Sequence, residues 1–162
     1  MSIKLSFELQ RENYMNFNKF HYKKTQLKKT LITGGLVLII LQVALNLNKF
    51  DLIATIISSI IFNAIYFFLI SRSLNNTKKI PKDDGSILGR KEIEFSDTGI
   101  AYMDKNSSGN FNWSAIKSLQ SDTTEFYLYT DANMAIVIPK RIFNSDTEII
   151  EFEKYINDKK IT

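Results

Sequence analysis

Few residues in this 162-residue chain are of types that do chemistry, and their spacing limits what that chemistry is. There is no cysteine, so a thiolate nucleophile, a thiolate metal site and a disulfide framework are all excluded. His21 is the single histidine, so neither a His-rich metal site nor an HExxH motif can form. Glu92 and Glu94 share one strand face and form the nearest approach to a paired-carboxylate arrangement, but alternating charge along a solvent face accounts for them. Asp83-Asp84-Gly85 reads as a turn, since a calcium loop needs further oxygen ligands at fixed spacing. No P-loop, glycine-rich dinucleotide fingerprint or nucleophile elbow occurs. A non-enzymatic protein without cofactor or metal is the expectation.

The other reactive types are cationic or amide-bearing, and they suggest binding. Lys19, Lys23, Lys24, Lys28 and Lys29 precede the first long apolar run, and Lys78, Lys79 and Lys82 follow the second. Together they are a candidate collar for anionic headgroups, each cation near such a surface being worth about 1 kcal/mol. Gly35, Gln42 and Asn46 fall on one side of the first run, and Thr55, Ser59 and Asn63 recur every fourth residue in the second, with Tyr66 continuing that face. Small and amide side chains at such spacing let helices approach and hydrogen-bond, either with each other or with a membrane partner. Pro139-Lys140-Arg141 closes the last strand. Its two cations could meet headgroups, but the expectation is structural, with Pro139 ending the strand, Lys140 and Arg141 facing solvent, and Phe143 anchoring the start of a helix.

The elements that must position these residues are uneven in composition. Between Leu31 and Ile70, 28 of 40 residues are apolar and only Lys49 and Asp51 are charged. Leu31–Leu47 supplies 17 uncharged residues and Leu52–Ile70 supplies 19, near the length of about 20 that crosses a bilayer. The spacing therefore predicts transmembrane helices over 31–47 and 52–74, joined by an extracellular turn at 48–51. Residues 1–91 carry a net charge of +9 and residues 92–162 a net of −5. With lysines before and after the hairpin and Lys49 alone in its turn, both termini are expected in the cytoplasm, in a cell membrane protein of two spans. The surplus positive charge beside the spans explains the high isoelectric point without a nucleic-acid partner.

The polar remainder reads as one split β-rich domain. Ile3, Leu5, Phe7 and Leu9 alternate with polar residues, which predicts a strand within 1–10 that joins the distal sheet. Residues 11–30 form a basic juxtamembrane helix and 75–89 a connector. Strands are predicted at 90–96, 99–104, 109–113, 116–121, 125–129 and 134–138, separated by Asp-, Asn-, Ser- and Gly-rich turns. Trp113 is placed in the third of these as a core residue. A helix over 146–158 closes the domain at 90–162, with Ser145 and Glu148 as a capping box and Ile149, Phe152 and Ile156 as its apolar face. The expected fold is α+β: a two-helix transmembrane hairpin plus a small antiparallel β-barrel or sandwich of about seven strands.

Several segments together resemble a known family. Glu12-Asn13-Tyr14 followed by Phe17-Asn18, the two apolar runs, and the stretches IEFSDTGI (93–100), NWSAIKSL (112–119), FYLY (126–129) and IPKRIF (138–143) are similar to the YcxB-like bacterial membrane proteins. The resemblance implies a C-terminal pleckstrin-homology-like barrel capped by a helix, and it carries no common activity to transfer. The functional expectation is a non-catalytic, membrane-anchored interaction module that binds an unidentified protein or anionic lipid. The alternatives are a self-protection (immunity) protein against a secreted toxin, with the polar stripe as recognition surface, or an accessory subunit of a membrane complex. The sequence does not set the oligomeric state.

Overall fold

The computed structural model describes residues 2–47 and 50–161; Asn48 and Lys49, on which part of the predicted turn falls, lie outside the described residues. The chain divides into two units, Met1–Phe17 with Lys78–Thr162, and Asn18–Thr77.

Among the described residues the first unit contains seven strands. β1 (Ile3–Leu9), β2 (Gly89–Phe95), β3 (Ile100–Asp104) and β4 (Ser108–Phe111) form one antiparallel sheet in that order. β5 (Ser118–Ser121), β6 (Glu125–Asp131) and β7 (Met134–Pro139) form a second. β1 pairs with β2 along its whole length, Ile3 opposite Phe95 and Leu9 opposite Gly89, although some eighty residues separate them in sequence. The period-two pattern fixes this register, because a slip by one residue would turn Phe7 out of the core.

Side chains close the hairpins. Asp104 accepts from the backbone N–H of Asn106 (2.7 Å) and Ser107 (2.8 Å), which folds the β3–β4 turn. Asp122 does the same for Thr124 (2.8 Å) and Glu125 (2.9 Å) before β6. These are Asx turns, the local chemistry that favours Asp at such positions. Gly99 sits at φ +156 after β2, and a Cβ there would lie 2.5 Å from the Phe111 carbonyl oxygen, so β4 packs against a position that only glycine fills.

A barrel does not close. The sequence predicted a strand running through Trp113, but a 3₁₀ turn over Trp113–Ala115 intervenes between β4 and β5. Ala115 N–H bonds Asn112 O and Ile116 N–H bonds Trp113 O, local bonds that replace ladder pairing and delay β5 to Ser118. Trp113 is half-buried at the core's margin and donates its indole N–H to Ser96 O at 2.9 Å. Two sheets with one shared core result.

That core is centred on the C-terminal helix α4 (Asp146–Ile161), three residues longer than its pattern predicted. Phe152 packs on Phe95 of the first sheet and Phe126 of the second, both at 5.3 Å between ring centroids, and on Phe143 at 5.2 Å. Phe152 and Ile156 are buried and Ile149 packs at the edge. Ser145 Oγ accepts from Glu148 N–H at 3.2 Å, while the Glu148 carboxylate reaches the N–H of Asn144, one residue before the cap, at 2.8 Å. The capping box is thus shifted by one residue on its return bond.

The second unit is helical. α1 (Arg11–Thr25) starts in the first unit and continues here. At Gln26 the helix loosens but its bonds persist, Gln26 N–H to Tyr22 O and Thr30 N–H to Gln26 O, both at 2.9 Å. α2 (Leu27–Leu45) therefore begins four residues before the uncharged run, and α3 (Leu52–Asn76) extends two residues past its predicted end. Asp51 caps α3 by accepting from Ala54 N–H at 3.1 Å. Both helices are long and apolar enough to cross a membrane.

Candidate functional site

Within the helical unit, the polar residues of α2 and α3 meet each other. Gln42 donates from Nε2 to Ser58 Oγ (2.9 Å) and Ser59 Oγ (3.0 Å). Asn46 Oδ1 accepts from Thr55 Oγ1 (3.3 Å) and Asp51 N–H (3.2 Å), and its Nδ2 donates to Gln42 O (2.8 Å). Nearer the other end of the helices, Tyr66 donates its hydroxyl hydrogen to Thr30 O at 2.9 Å. Hydrogen bonds between helices of this kind contribute about 0.6–2 kcal/mol each in an apolar surround.

Two residues of the proposed stripe fall outside this seam. Gly35 is exposed, with nothing within 4 Å of where its Cβ would be. The glycine that matters for close approach is its neighbour: Gly34 is buried, and a Cβ there would stand 2.6 Å from the Tyr66 ring. Asn63 is also exposed and donates to Ser59 O of its own helix at 2.9 Å. The spacing of seven and four residues located the face to within one position, and helix rotation decided which glycine pointed inward.

The basic residues are arranged for solvent or surface. Lys23, Lys24, Lys28 and Lys29 are exposed and Lys19 is half-buried. In the other unit Lys78, Lys79 and Lys82 are exposed, and the backbone that carries them is held by a residue the sequence reading passed over. Arg11 donates to Lys78 O (2.9 Å), Pro81 O (2.7 Å) and Asp83 Oδ1 (2.6 Å), strapping this connector to the start of α1.

The Pro139-Lys140-Arg141 step is structural, but its cations do not simply face solvent. Pro139 ends β7 and is fully buried. Lys140 Nζ donates to Asp122 O at 2.5 Å and stands 4.7 Å from the centre of the Phe126 ring, a cation–π contact. Arg141 donates to Glu8 O of β1 at 2.8 Å and to Asn13 Oδ1 at 3.3 Å. Phe143 joins the Phe126–Phe152 cluster. Glu92 and Glu94 do not act as a pair: Glu92 meets Arg90 at 2.9 Å and Glu94 meets Lys4 on β1 at 3.3 Å.

The most unusual side chain was not singled out by its sequence context. Glu125, the first residue of β6, is 1% exposed. Its Oε1 accepts from Asn13 Nδ2 (2.8 Å) and Asn16 Nδ2 (3.2 Å) on α1. Burial pushes its carboxyl above the ordinary glutamate range, and the neighbouring Asp122 charge adds to the rise, while the two asparagine amides and Tyr127 oppose it. Asp104 contrasts with it. Burial would raise its pKa as well, but the N–H groups of Asn106 and Ser107 and the ion pair with Lys91 at 3.0 Å pull it down to about 2. The signal in sequence for Glu125 was weak: an acidic residue opening an otherwise apolar strand, FYLY.

Among the described residues no group of three His, Asp or Glu side chains is placed to hold a metal ion. Open concavities of the β-rich unit include one of about 730 Å³ with mixed polar and apolar lining on the outer face of β1–β4 and a more apolar one of about 550 Å³ between β1 and α4. No curated protein and no solved structure matches the chain. The match that is found begins at Phe95 and ends at Ile156, two fully buried residues, and so spans the core from the end of β2 through most of α4. Residues 95–156 match the family model described as YcxB-like protein, the family that the sequence motifs resembled.

Proposed function

We propose that the chain is a non-catalytic interaction module held at a membrane by a two-helix hairpin. In this reading both termini face the cytoplasm, the domain at 90–162 is pleckstrin-homology-like, and it engages a protein partner or anionic lipid headgroups. The observation that carries the proposal is the orientation of side chains on α2 and α3. Leu36, Ile40, Ile53, Ile60 and Phe68 point outward and are exposed, whereas Gln42, Asn46, Thr55 and Ser59 turn toward the seam. A soluble helical hairpin would bury the first set and expose the second. The lysine count around the hairpin supports the orientation.

The lipid part is tested by reconstituting the full chain in phosphatidylcholine bilayers with and without phosphatidylglycerol. Amide protection at residues 19–29 and 78–82 is expected to rise several-fold with anionic lipid. Replacing Lys23, Lys24, Lys28 and Lys29 with glutamine should abolish the rise, at about 1 kcal/mol per cation. Equal protection in both bilayers would remove headgroup binding from the proposal and leave the protein partner. The immunity reading depended on the polar stripe as a recognition surface. Since most of that stripe is hydrogen-bonded within the hairpin, only Asn63 supports it.

A further inference from the structure

Glu125 joins two parts of the β-rich unit that differ in role. Its own strand lies at the centre of the β5–β7 sheet, and its partners Asn13 and Asn16 lie on the first two turns of α1, the helix that goes on toward the apolar hairpin. The asparagine side chain at 13 is fixed from both ends. Its oxygen accepts from Gln10 N–H (2.8 Å) and Arg141 (3.3 Å), so its amide hydrogens must face Glu125. No described residue donates to Glu125 Oε2, which is buried. Beside this contact Phe17 packs its ring on Tyr127 (5.7 Å) and Tyr129 (6.0 Å).

The charged groups nearby do not neutralise Glu125. On the turn before β6, Asp122 accepts from Tyr127 Oη (2.8 Å) and adds negative charge. After β7, Lys140 is bound to Asp122 O and Arg141 to Asn13 and Glu8, not to the Glu125 carboxyl. On α1, Arg11 is turned to the connector and Glu12 is exposed. Across the β6–β7 ladder, the residue opposite Glu125 is Pro139. An ionised carboxylate here would hold a charge in a buried site with neutral donors and no cation bound to it, whereas a protonated one keeps the same two amide bonds without that cost.

We propose that Glu125 is a proton-controlled latch that seats Arg11–Phe17 of α1 on the β5–β7 sheet when protonated and loosens it when ionised. The direction follows from linkage. A carboxyl whose folded pKa lies above its unfolded value of 4.5 contributes fully below that value and loses its contribution as pH rises through the folded pKa. The latch works on the chain segment between the domain and α2, so acidity would set how firmly the first turns of α1 are held on the sheet. It is independent of whether the partner is lipid or protein.

The test uses the full chain in lipid nanodiscs, with hydrogen exchange at residues 11–17 corrected for intrinsic rate. Between about pH 5 and about pH 8 the wild-type protection is expected to fall several-fold as the carboxyl ionises. Glu125→Gln, which keeps the amide-accepting oxygen and stays neutral, should hold the low-pH protection throughout. Glu125→Ala should lack it at every pH. A ¹³C-carboxyl titration of the wild type should show one glutamate titrating above the ordinary range, with a midpoint matching the loss of protection. The proposal is overturned if wild-type protection is flat over that interval, which needs no variant, or if Glu125→Gln retains the wild-type pH dependence.

Discussion

Deleting residues 2–10 is expected to unfold the distal β-rich domain, although the deleted segment lies on the far side of the hairpin in sequence. β1 places Phe7 in the core, with Ile3, Leu5 and Leu9 packed against it, and covers the full length of β2. Its removal would expose the β2 edge as well as the core. It would also remove Glu8, whose carbonyl holds Arg141. A milder change isolates the packing contribution: Phe7→Ala should cost about 3–5 kcal/mol, the range for truncating a buried aromatic ring. Chemical denaturation followed by Trp113 fluorescence reads both variants. A fragment of residues 86–162 that melts cooperatively at the midpoint of the full chain would contradict this account of β1.

The second large effect is expected in the hairpin, and it contrasts adjacent glycines. Gly34→Leu puts a side chain where the Tyr66 ring stands, which forces the ring away and breaks its hydroxyl bond to Thr30 O. Overpacking of this kind costs about 1–3 kcal/mol, and the lost inter-helix bond adds to it. Gly35→Leu meets open space and should leave the hairpin unchanged. Because the chain has no cysteine, a single introduced pair, one on α2 and one on α3, reports helix proximity by disulfide formation. Cross-linking should fall strongly in Gly34→Leu and persist in Gly35→Leu. Equal cross-linking in both would show that the seam does not depend on that close approach.

What could be read from the sequence divides along the range of the interactions involved. Local patterns were sufficient for the strand alternation at Ile3–Leu9, the turn at Asp122, and the apolar face of α4, since each depends on residues within a few positions. The long uncharged runs located α2 and α3, but helical hydrogen bonding starts α2 earlier, through Lys28 and Lys29, and carries α3 on through Ser71–Asn76, while α2 stops at Leu45, two residues short of its predicted end. The 3₁₀ turn at Trp113 was missed. An aromatic residue after an alternating segment favours a strand, and only the bond from its indole to Ser96, distant in sequence, shows why the chain turns there. Arg11 and Glu125 were missed for the same reason. Their partners lie some 70 and 110 residues away, and no periodicity records such a contact. Gly34 and Gly35 show the limit of helical spacing, which specifies a face to about one residue but not the rotation that selects between neighbours.

The central claim, a hairpin anchor with its turn outside and the β-rich domain inside, is tested most directly by labelling introduced cysteines in intact cells with a membrane-impermeant maleimide. Phe50, exposed just before α3, and Lys154, exposed on α4, are suitable positions in a chain without native cysteine. The account predicts that Phe50→Cys is labelled from outside and that Lys154→Cys is labelled only after the membrane is opened. Labelling of Lys154→Cys in intact cells would contradict the topology, and recovery of the protein in the soluble fraction would contradict the anchor itself.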